Sequence, residues 1–399
     1  MKPLTLPFLL IAATATAQLD LSDHTALPVV QVPAEAVLEQ TIELQEVWRL
    51  DCGAEAEILV GRISTAAAAP GGGVLVLDRQ LGHVLLVDNS GSVRRTYGRS
   101  GEGPGETKGL FDVCALSGNR IALMEGKPPM TFGMGSNKVV VLNEAGDPLG
   151  TLRFAPVHAP HEPSELRGIR TDGKHLLIGY HQTHFEPPNI TSSSYLVLSD
   201  DQGKVLADLG SRTHQEALAA TTMNEADYFE PYGTGRFDLA VDGRMALLPE
   251  RDAYVVVVRD MDGGGVRLEG TTVARQRSRS EIDVLVETNS GGPFAWEACV
   301  TEPALVGVHF RPDGKLWVER CPLTAPQEAG SFGAFDEFDR EGRLLRRVHL
   351  RAPGDAATDR LVALSDGRYV LVRNHHVAED SEAEDVELEV VLLREGSDR

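Results

Sequence analysis

Short apolar runs recur along the chain, and a tight polar turn precedes each of them. The turns contain glycine or asparagine, which adopt positive φ at little cost, and such a turn before a strand-like run predicts a β-hairpin. The six runs are VLVLD, RIALM, HLLIGY, MALLP, LWVE and YVLVR, and their turns begin at Gly71, Ser117, Asp172, Asp242, Asp313 and Asp366.

A second turn follows each of the first five runs, after a further strand-like segment such as HVLLVD or KVVVLN. These second turns lie at residues 89–91, 145–147, 201–203, 262–264 and 341–342. Each unit therefore has the pattern of four antiparallel strands, A to D, with one turn between A and B and another between C and D. Six such units predict an all-β protein, a six-bladed β-propeller with four strands in each blade.

The two ends of the chain give an independent argument for a closed ring. The sixth unit ends after its third strand, whereas an unassigned strand, Thr41–Leu50, precedes the first unit. The early strand can serve as strand D of the last blade, which removes the exposed edges of the sheet. Two separate β-sandwiches are the alternative, but they leave both ends unexplained. We therefore expect one propeller over residues 41–399.

The first 17 residues have the pattern of a secretory signal peptide. Lys2 precedes a short apolar stretch, Leu4–Ala13, and Ala15-Thr16-Ala17 has the small residues of a cleavage site. Residues 18–40 then form an N-terminal leader. The pattern predicts export to the periplasm or the extracellular space. No later run approaches the length of a membrane-spanning helix, so no transmembrane segment is expected.

The stretch GRSGEGPGE, residues 98–106, raises the question of a phosphate-binding loop. Such a loop needs glycines between a strand and a helix, with G-x-G-x-x-G or GK[ST] spacing. Neither spacing is present, and the following KGLFDVCAL has the composition of a buried strand. We interpret this stretch as the connector between the first two blades.

Residues 74–106, VLVLDRQLGHVLLVDNSGSVRRTYGRSGEGPGE, resemble the NHL-type repeat of exported bacterial six-bladed β-propeller proteins. In that repeat a strand ends in Asp, the next ends in Asp-x-x-Gly, and a glycine-rich connector follows. The resemblance implies this fold and export. It implies no particular activity, because propellers have binding, lyase, lactonase and scaffold roles alike. The matching residues are Asp78, Asp88, Gly91, Gly98, Gly101, Gly103, Pro104, Gly105 and Glu106.

The chain is acidic, with 59 Asp and Glu against 38 Lys and Arg and a formal net charge of −21. This balance argues against nucleic acid as a partner, because binding to phosphates needs a basic surface. The spacing of the four cysteines matches no metal-binding pattern. In an oxidising compartment they could form two disulfides. The preferred pair is Cys299 with Cys321, and four free thiols including Cys52 and Cys114 are the alternative.

The long segments of the predicted propeller all fall between strands B and C or between successive blades, on one of its two faces. Elaborated loops over a rigid scaffold usually carry binding, so we expect binding on this face. Two stretches there have helical composition, His214–Phe229 and Ala274–Glu287, the second with Ser278 or Ser280 as a possible N-cap. The long segments are residues 126–137, 181–193, 213–234, 271–303, 322–333 and 375–385.

Histidines and carboxylates cluster in two of these segments, in blades 3 and 6, which oppose each other across the central channel. Neutral imidazoles with carboxylates can hold zinc, and clustered carboxylates can hold calcium. Some NHL-type propellers, the peptidyl-hydroxyglycine amidating lyases, bind metal through channel histidines. Solvated loop side chains are the simpler interpretation. The candidate metal ligands are His181, His184, His375, His376, Glu379 and Asp380, and Glu186, Glu379 and Asp380 are the candidate acid–base groups.

The sequence thus predicts an exported, non-catalytic, monomeric propeller whose loop-rich face binds an unknown protein, peptide or small molecule. A metal-assisted lyase or lactonase is the alternative, and carbohydrate binding is a third hypothesis. The sequence requires no cofactor, and the one candidate is a divalent metal, zinc or calcium. The candidate binding residues are His181, His184, Glu186, Arg251, Asp252, Tyr254, His375 and His376.

Overall fold

The computed structural model describes residues 24–35, 38–52, 58, 60–101, 103–126, 138–154, 164–217, 222–271, 274–290, 295–321, 330–380 and 386–396, and the side chains of residues 164, 185, 379 and 380 are not described. The predicted signal peptide therefore lies outside the described residues. Within them, no helix is long and apolar enough to cross a membrane.

Two strands precede the blades, β1 (Val29–Val32) and β2 (Glu39–Asp51). Blade 1 consists of β3 (Ile63–Ala68), β4 (Val74–Asp78), β5 (His83–Val87) and β6 (Val93–Tyr97), with a 3₁₀ turn, Pro70–Gly72, between its first two strands. Blade 2 consists of β7 (Leu110–Leu116), β8 (Arg120–Glu125), β9 (Lys138–Leu142) and β10 (Pro148–Arg153). Blade 3 consists of β11 (Ser164–Thr171), β12 (His175–Glu186), β13 (Asn189–Asp200) and β14 (Val205–Ala217).

A short strand, β15 (Thr222–Asn224), follows blade 3. Blade 4 consists of β16 (Phe237–Leu239), β17 (Met245–Leu247), β18 (Tyr254–Arg259) and β19 (Gly265–Gly270), and helix α1 (Arg279–Asn289) and β20 (Ala295–Glu297) follow it. Blade 5 consists of β21 (Leu305–Phe310), β22 (Leu316–Arg320), β23 (Ser331–Phe338) and β24 (Leu344–Arg351). Blade 6 contains β25 (Arg360–Ala363), β26 (Tyr369–Arg373), helix α2 (His375–Asp380) and β27 (Glu389–Glu395).

The predicted propeller is confirmed, and β2 completes the last blade. The C-terminal half of β2 pairs antiparallel with β27, with Trp48 opposite Leu392. Its N-terminal half pairs in parallel with β24 of blade 5, with Ile42 opposite Leu350. Strand β1 pairs in parallel with β19 of blade 4. The segment before blade 1 thus adds an outer strand to blade 4 and to blade 5 before it closes blade 6.

The apolar core is divided among the seams between neighbouring blades. In β4, Leu75 and Leu77 pack against blade 2, whereas Val74 and Val76 pack against blade 6. The middle strands are therefore buried on both faces, which explains why they are continuous apolar runs and do not alternate. Each fully buried aliphatic side chain contributes about 1.5–3 kcal/mol, so the six seams together hold the ring.

The glycine turns of the hairpins have the backbone that was predicted from their sequence. Gly243 and Gly367, for example, have φ of +85° and +86°, which a side chain would strain. The connector between blades 1 and 2 is also as interpreted. Its Gly103 amide donates to Glu106, whose carbonyl in turn accepts a hydrogen bond from Lys138 of β9. The connector thereby fixes blade 1 to blade 2.

Two predictions of local structure were wrong in blade 3. The predicted loop over 181–193 is a hairpin, because β12 and β13 continue in register out to Glu186 and Asn189. The predicted helix His214–Phe229 is instead the end of β14, then β15 and a turn. The Ser- and Thr-rich β13 offers β14 a long partner, and cross-strand pairing overrides the helical composition. The other predicted helix is present as α1.

The preferred disulfide was also wrong, because none of the four cysteines forms a disulfide. Cys321 follows β22 and its amide bonds to the carbonyl of Ala304. Cys299 precedes Ala304 in the sequence, and its own amide donates to the carboxylate of Glu225. Separate partners on separate segments hold the two residues. Cys52 and Cys114 are buried at the end of β2 and within β7.

Candidate functional site

A half-open pocket lies where the long strands of blade 3 extend beyond the ring. Its empty volume is about 330 Å³, which includes the open solvent space at its mouth. Strands β12 to β14 form one wall, and the segment Asp227–Glu230 that follows β15 forms the other. The lining residues are His181, Ser192, Ser194, Arg212, His214, Asp227, Tyr228, Phe229 and Glu230.

Arg212 of β14 attaches the second wall to the first. Its guanidinium donates to the carbonyls of Phe229 and Ala226, at 2.5 and 3.0 Å, and lies 5.4 Å from the centroid of the Phe229 ring. The guanidinium of Arg236 is 4.4 Å from the same centroid. Two cations therefore contact one aromatic ring, an arrangement that fixes its position.

Glu225 fixes the start of the same wall. Its carboxylate accepts hydrogen bonds from Arg251 and Arg277 and from the amide of Cys299. Hydrogen bonds and the charges of these two arginines hold the pKa of Glu225 below its ordinary value although burial opposes them. Arg277 directly precedes Ser278, the N-cap of α1, which forms a capping box with Glu281. Glu225 thus holds both the pocket wall and the start of helix α1 in place.

His181 and Glu230 meet at the base of the pocket. The Nδ1 atom of His181 is 3.5 Å from Oε1 of Glu230 and 3.2 Å from Oγ of Ser194. Burial, with the charge of Arg167, lowers the pKa of His181 to about 4, so the imidazole is neutral at physiological pH. Arg167 also forms an ion pair with Oε1 of Glu230 at 3.2 Å.

Only one of the two oxygens of the Glu230 carboxyl, Oε1, contacts a polar partner among the described residues. Its Oε2 atom is buried and has no hydrogen-bond partner among the described residues. Burial raises the pKa of this carboxyl, against the opposing charge of Arg167. A buried polar atom without a partner costs free energy, and a ligand that supplies one recovers it.

Aromatic rings surround the outer part of the pocket. The ring of Tyr228 lies 6.1 Å from that of His214 and 5.7 Å from that of Trp296 on β20. The Tyr228 hydroxyl donates to Oε1 of Glu216 at 2.5 Å. Burial and this carboxylate raise the pKa of Tyr228, so the phenol keeps its proton. The pocket therefore combines fixed aromatic surface with uncharged hydrogen-bonding groups.

Among the predicted residues of blades 3 and 4, only His181 lines this pocket. His184 and Glu186 lie further out on β12, where their side chains are 46% and 79% exposed and 3.8 Å apart. Arg251 acts on the pocket through Glu225, and its neighbour Asp252 is mainly exposed. The binding prediction for Tyr254 was wrong, because this residue is buried and donates to Asp336 of blade 5.

The predicted residues of blade 6 lie in or beside helix α2. His375 is buried, with its Nε2 atom 3.5 Å from Arg360, and the exposed ring of His376 packs edge-on against it. The side chains of Glu379 and Asp380 lie outside the described part of the structure. In that part, no group of three or more His, Cys, Asp or Glu side chains could hold a metal ion.

Sequence reasoning missed Arg212, Tyr228 and Glu230, which lie within or directly beside the stretch His214–Phe229 that it assigned to a helix. The sequence offers no periodic signal for these residues, because residues 211–216, SRTHQE, are all polar. Their alternation between the two faces of β14 is visible only in the structure.

No family model matches the sequence, and no curated protein matches it. Solved structures do match. A DUF4221 family member from Bacteroides vulgatus is 10% identical with a TM-score of 0.48, over 89% of this chain and 98% of that one. Regucalcin, a calcium-binding protein from Agrobacterium tumefaciens, is 12% identical with a TM-score of 0.42, over 89% and 96%. Virginiamycin B lyase from Staphylococcus aureus is 10% identical with a TM-score of 0.39, over 87% and 98%. These matches say nothing about the pocket, and the NHL-type resemblance stays a prediction.

Proposed function

We propose that this protein is an exported binding protein whose blade 3 pocket takes a neutral, polyhydroxylated small molecule such as a sugar. The observation that carries the proposal is the buried Oε2 atom of Glu230, which has no partner among the described residues and lies beside the neutral imidazole of His181. A ligand hydroxyl can donate to that oxygen and accept from a neighbouring group at once. The serine hydroxyls of β13 offer the same dual chemistry.

Charge and ring geometry support a neutral ligand. The pocket cation Arg212 already donates to two backbone carbonyls, and His181 is neutral, so the pocket offers an anion little. The carboxyl of Glu230 already forms an ion pair with Arg167, so the pocket offers a cationic ligand little as well. The Tyr228 ring offers an apolar face to the C–H side of a pyranose. Hydrophobic surface with a few directed polar groups is the usual composition of a small-molecule site.

The test is calorimetric titration of the purified protein with glucose, galactose, mannose, N-acetylglucosamine and maltose. Glu230→Gln keeps the shape of the side chain but changes its hydrogen bonding. We expect it to weaken binding by about tenfold or more. Tyr228 is 5.7 Å from Trp296, so binding should also change the tryptophan fluorescence.

His184→Ala is the control, because His184 lies on the same strand as His181, β12, but outside the pocket. This variant should bind like the wild type. Equal affinity of wild type and Glu230→Gln for a sugar would reject the pocket as its site. Absence of binding across the whole panel would reject the ligand class.

A further inference from the structure

Blade 5 holds a carboxyl group that has no partner in the described part of the structure. Glu319 lies near the end of β22, opposite Gly307 of β21 and Phe335 of β23. Arg360 of blade 6 acts on it only through its charge, and no described residue forms a hydrogen bond or ion pair with it. On the adjacent strand, by contrast, Glu337 accepts hydrogen bonds from Trp317 and Arg346. Blade 5 thus pairs a neighbouring carboxylate but not Glu319.

Two glycines make the space in which the Glu319 carboxyl lies. A Cβ atom at Gly307 would be 2.8 Å from Oε2, and one at Gly333 would be 3.3 Å from Oε1. The ring of Phe335 also lies within 3.2 Å of the Cβ position at Gly333. The carboxyl is therefore flanked by bare backbone on both neighbouring strands and by an aromatic ring, and the Glu319 side chain keeps partial contact with solvent.

His309 presents a second unpartnered group on the same face of the sheet. It is diagonal to Glu319 across β21 and β22, a relation that places Cα atoms about 7–8 Å apart. Its ring packs 5.5 Å from that of Trp317 and 5.9 Å from that of Phe335. Its Nε2 atom is buried without a hydrogen-bond partner among the described residues. Burial, then the charges of Arg311 and Arg170, lower the pKa of His309 to about 3.

We propose that Glu319, His309 and the neighbouring ring of Phe335 form a second binding site, at the seam of blades 5 and 6, for a ligand with an organic ammonium group. The carboxylate supplies the counter-charge, the neutral imidazole accepts an N–H, and the Phe335 ring favours a cation near its face. Trp317 supports this site from behind, because its ring is buried and already has the Arg311 guanidinium 4.5 Å from its centroid. The net charge of −21 attracts such ligands to the protein.

Burial raises the pKa of Glu319 to about 7, although the charge of Arg360 opposes the shift. An ammonium ligand binds the ionised carboxylate, so binding should release a proton near neutral pH and should weaken as the pH falls below that pKa. This linkage is independent of the blade 3 pocket. The sugar titrations can therefore fail without affecting the ammonium site, and the reverse also holds.

The test uses two probes that differ in charge, benzylammonium and benzyl alcohol, titrated calorimetrically at pH 8. Wild-type protein should bind benzylammonium at least about tenfold more tightly than benzyl alcohol, and Glu319→Gln should remove that difference. Gly307→Ala is a second variant, which displaces the carboxyl without changing its charge and should also weaken binding. Glu341→Gln is the control, because its side chain is 64% exposed in a distant turn.

Circular dichroism confirms that each variant is folded before titration. If Glu319→Gln does not fold, the Gly307→Ala result decides the test. Equal binding of the charged and neutral probes by the wild type would overturn the proposal. So would benzylammonium binding that both variants retain, or the absence of any heat up to about 10 mM ligand.

Discussion

Trp48 of the first long strand pairs with Leu392 of the last, so the propeller is closed by residues from the two ends of the chain. The indole is 7% exposed and packs in the seam between blades 6 and 1. The preceding residue, Val47, points outward and is 42% exposed. Closure therefore depends on one face of β2.

We expect Trp48→Ala to lower the free energy of unfolding by about 3–5 kcal/mol, because it leaves a cavity in the closing seam. Val47→Ala is the matched control and should change that free energy by less than about 0.5 kcal/mol. Urea unfolding followed by circular dichroism measures both. A Trp48→Ala variant as stable as Val47→Ala would show that the closing strand contributes little to stability.

Gly179 of β12 lies against the backbone of the chain that enters blade 4. A Cβ atom there would be 1.9 Å from the carbonyl oxygen of Tyr232 and 3.0 Å from the ring of Phe237. We expect Gly179→Ala to destabilise the protein by about 3 kcal/mol or more, because backbone must move. Gly150→Ala on β10 is the control, because no atom lies within 4 Å of its Cβ position. Thermal unfolding of both variants provides the comparison.

The neutral His181 makes stability depend on pH. Its folded pKa of about 4 is lower than the ordinary value of 6.5, so the unfolded chain binds a proton more readily. The contribution of His181 to the free energy of unfolding should be fully present above pH 6.5 and should fall by about 2–3 kcal/mol as the pH drops from 6.5 to 4. His181→Gln should lose less over this range. His184→Gln, altered at a mainly exposed histidine, should behave like the wild type.

The free cysteines predict four reactive thiols in a denaturant without reductant, measured with Ellman's reagent. In the folded protein Cys52 should react slowly, because burial raises its pKa to about 12 and little thiolate forms. Cys299 is partly exposed and should react first. Substitution of Cys299 by Ser should remove that first phase. Two or no thiols in denaturant would show that disulfides form.

The repeat of turns and apolar runs was sufficient to predict the blades and the closing strand, and helical composition with a serine N-cap was sufficient to predict α1. This information is local: a glycine turn fixes a hairpin, and a run buried on both faces must lie between two seams. The unpaired strand Thr41–Leu50 likewise needed only a count of strands. His181 was a candidate from the sequence as one of the histidines on the elaborated face of blade 3, and the structure places it in the lining of the pocket.

Tertiary structure alone determined what surrounds these residues. Composition favoured a helix over His214–Phe229, but pairing of β14 with the long β13 overrides it and brings Arg212 to Phe229. The meeting of His181 with Glu230 depends on that pairing, because hydrogen bonds between distant strands bring the two residues together. That no described residue pairs with Glu319 depends on which side chains the neighbouring strands and blades place beside it. Local sequence determines hairpins and burial, whereas contacts between distant segments determine the chemistry of each site.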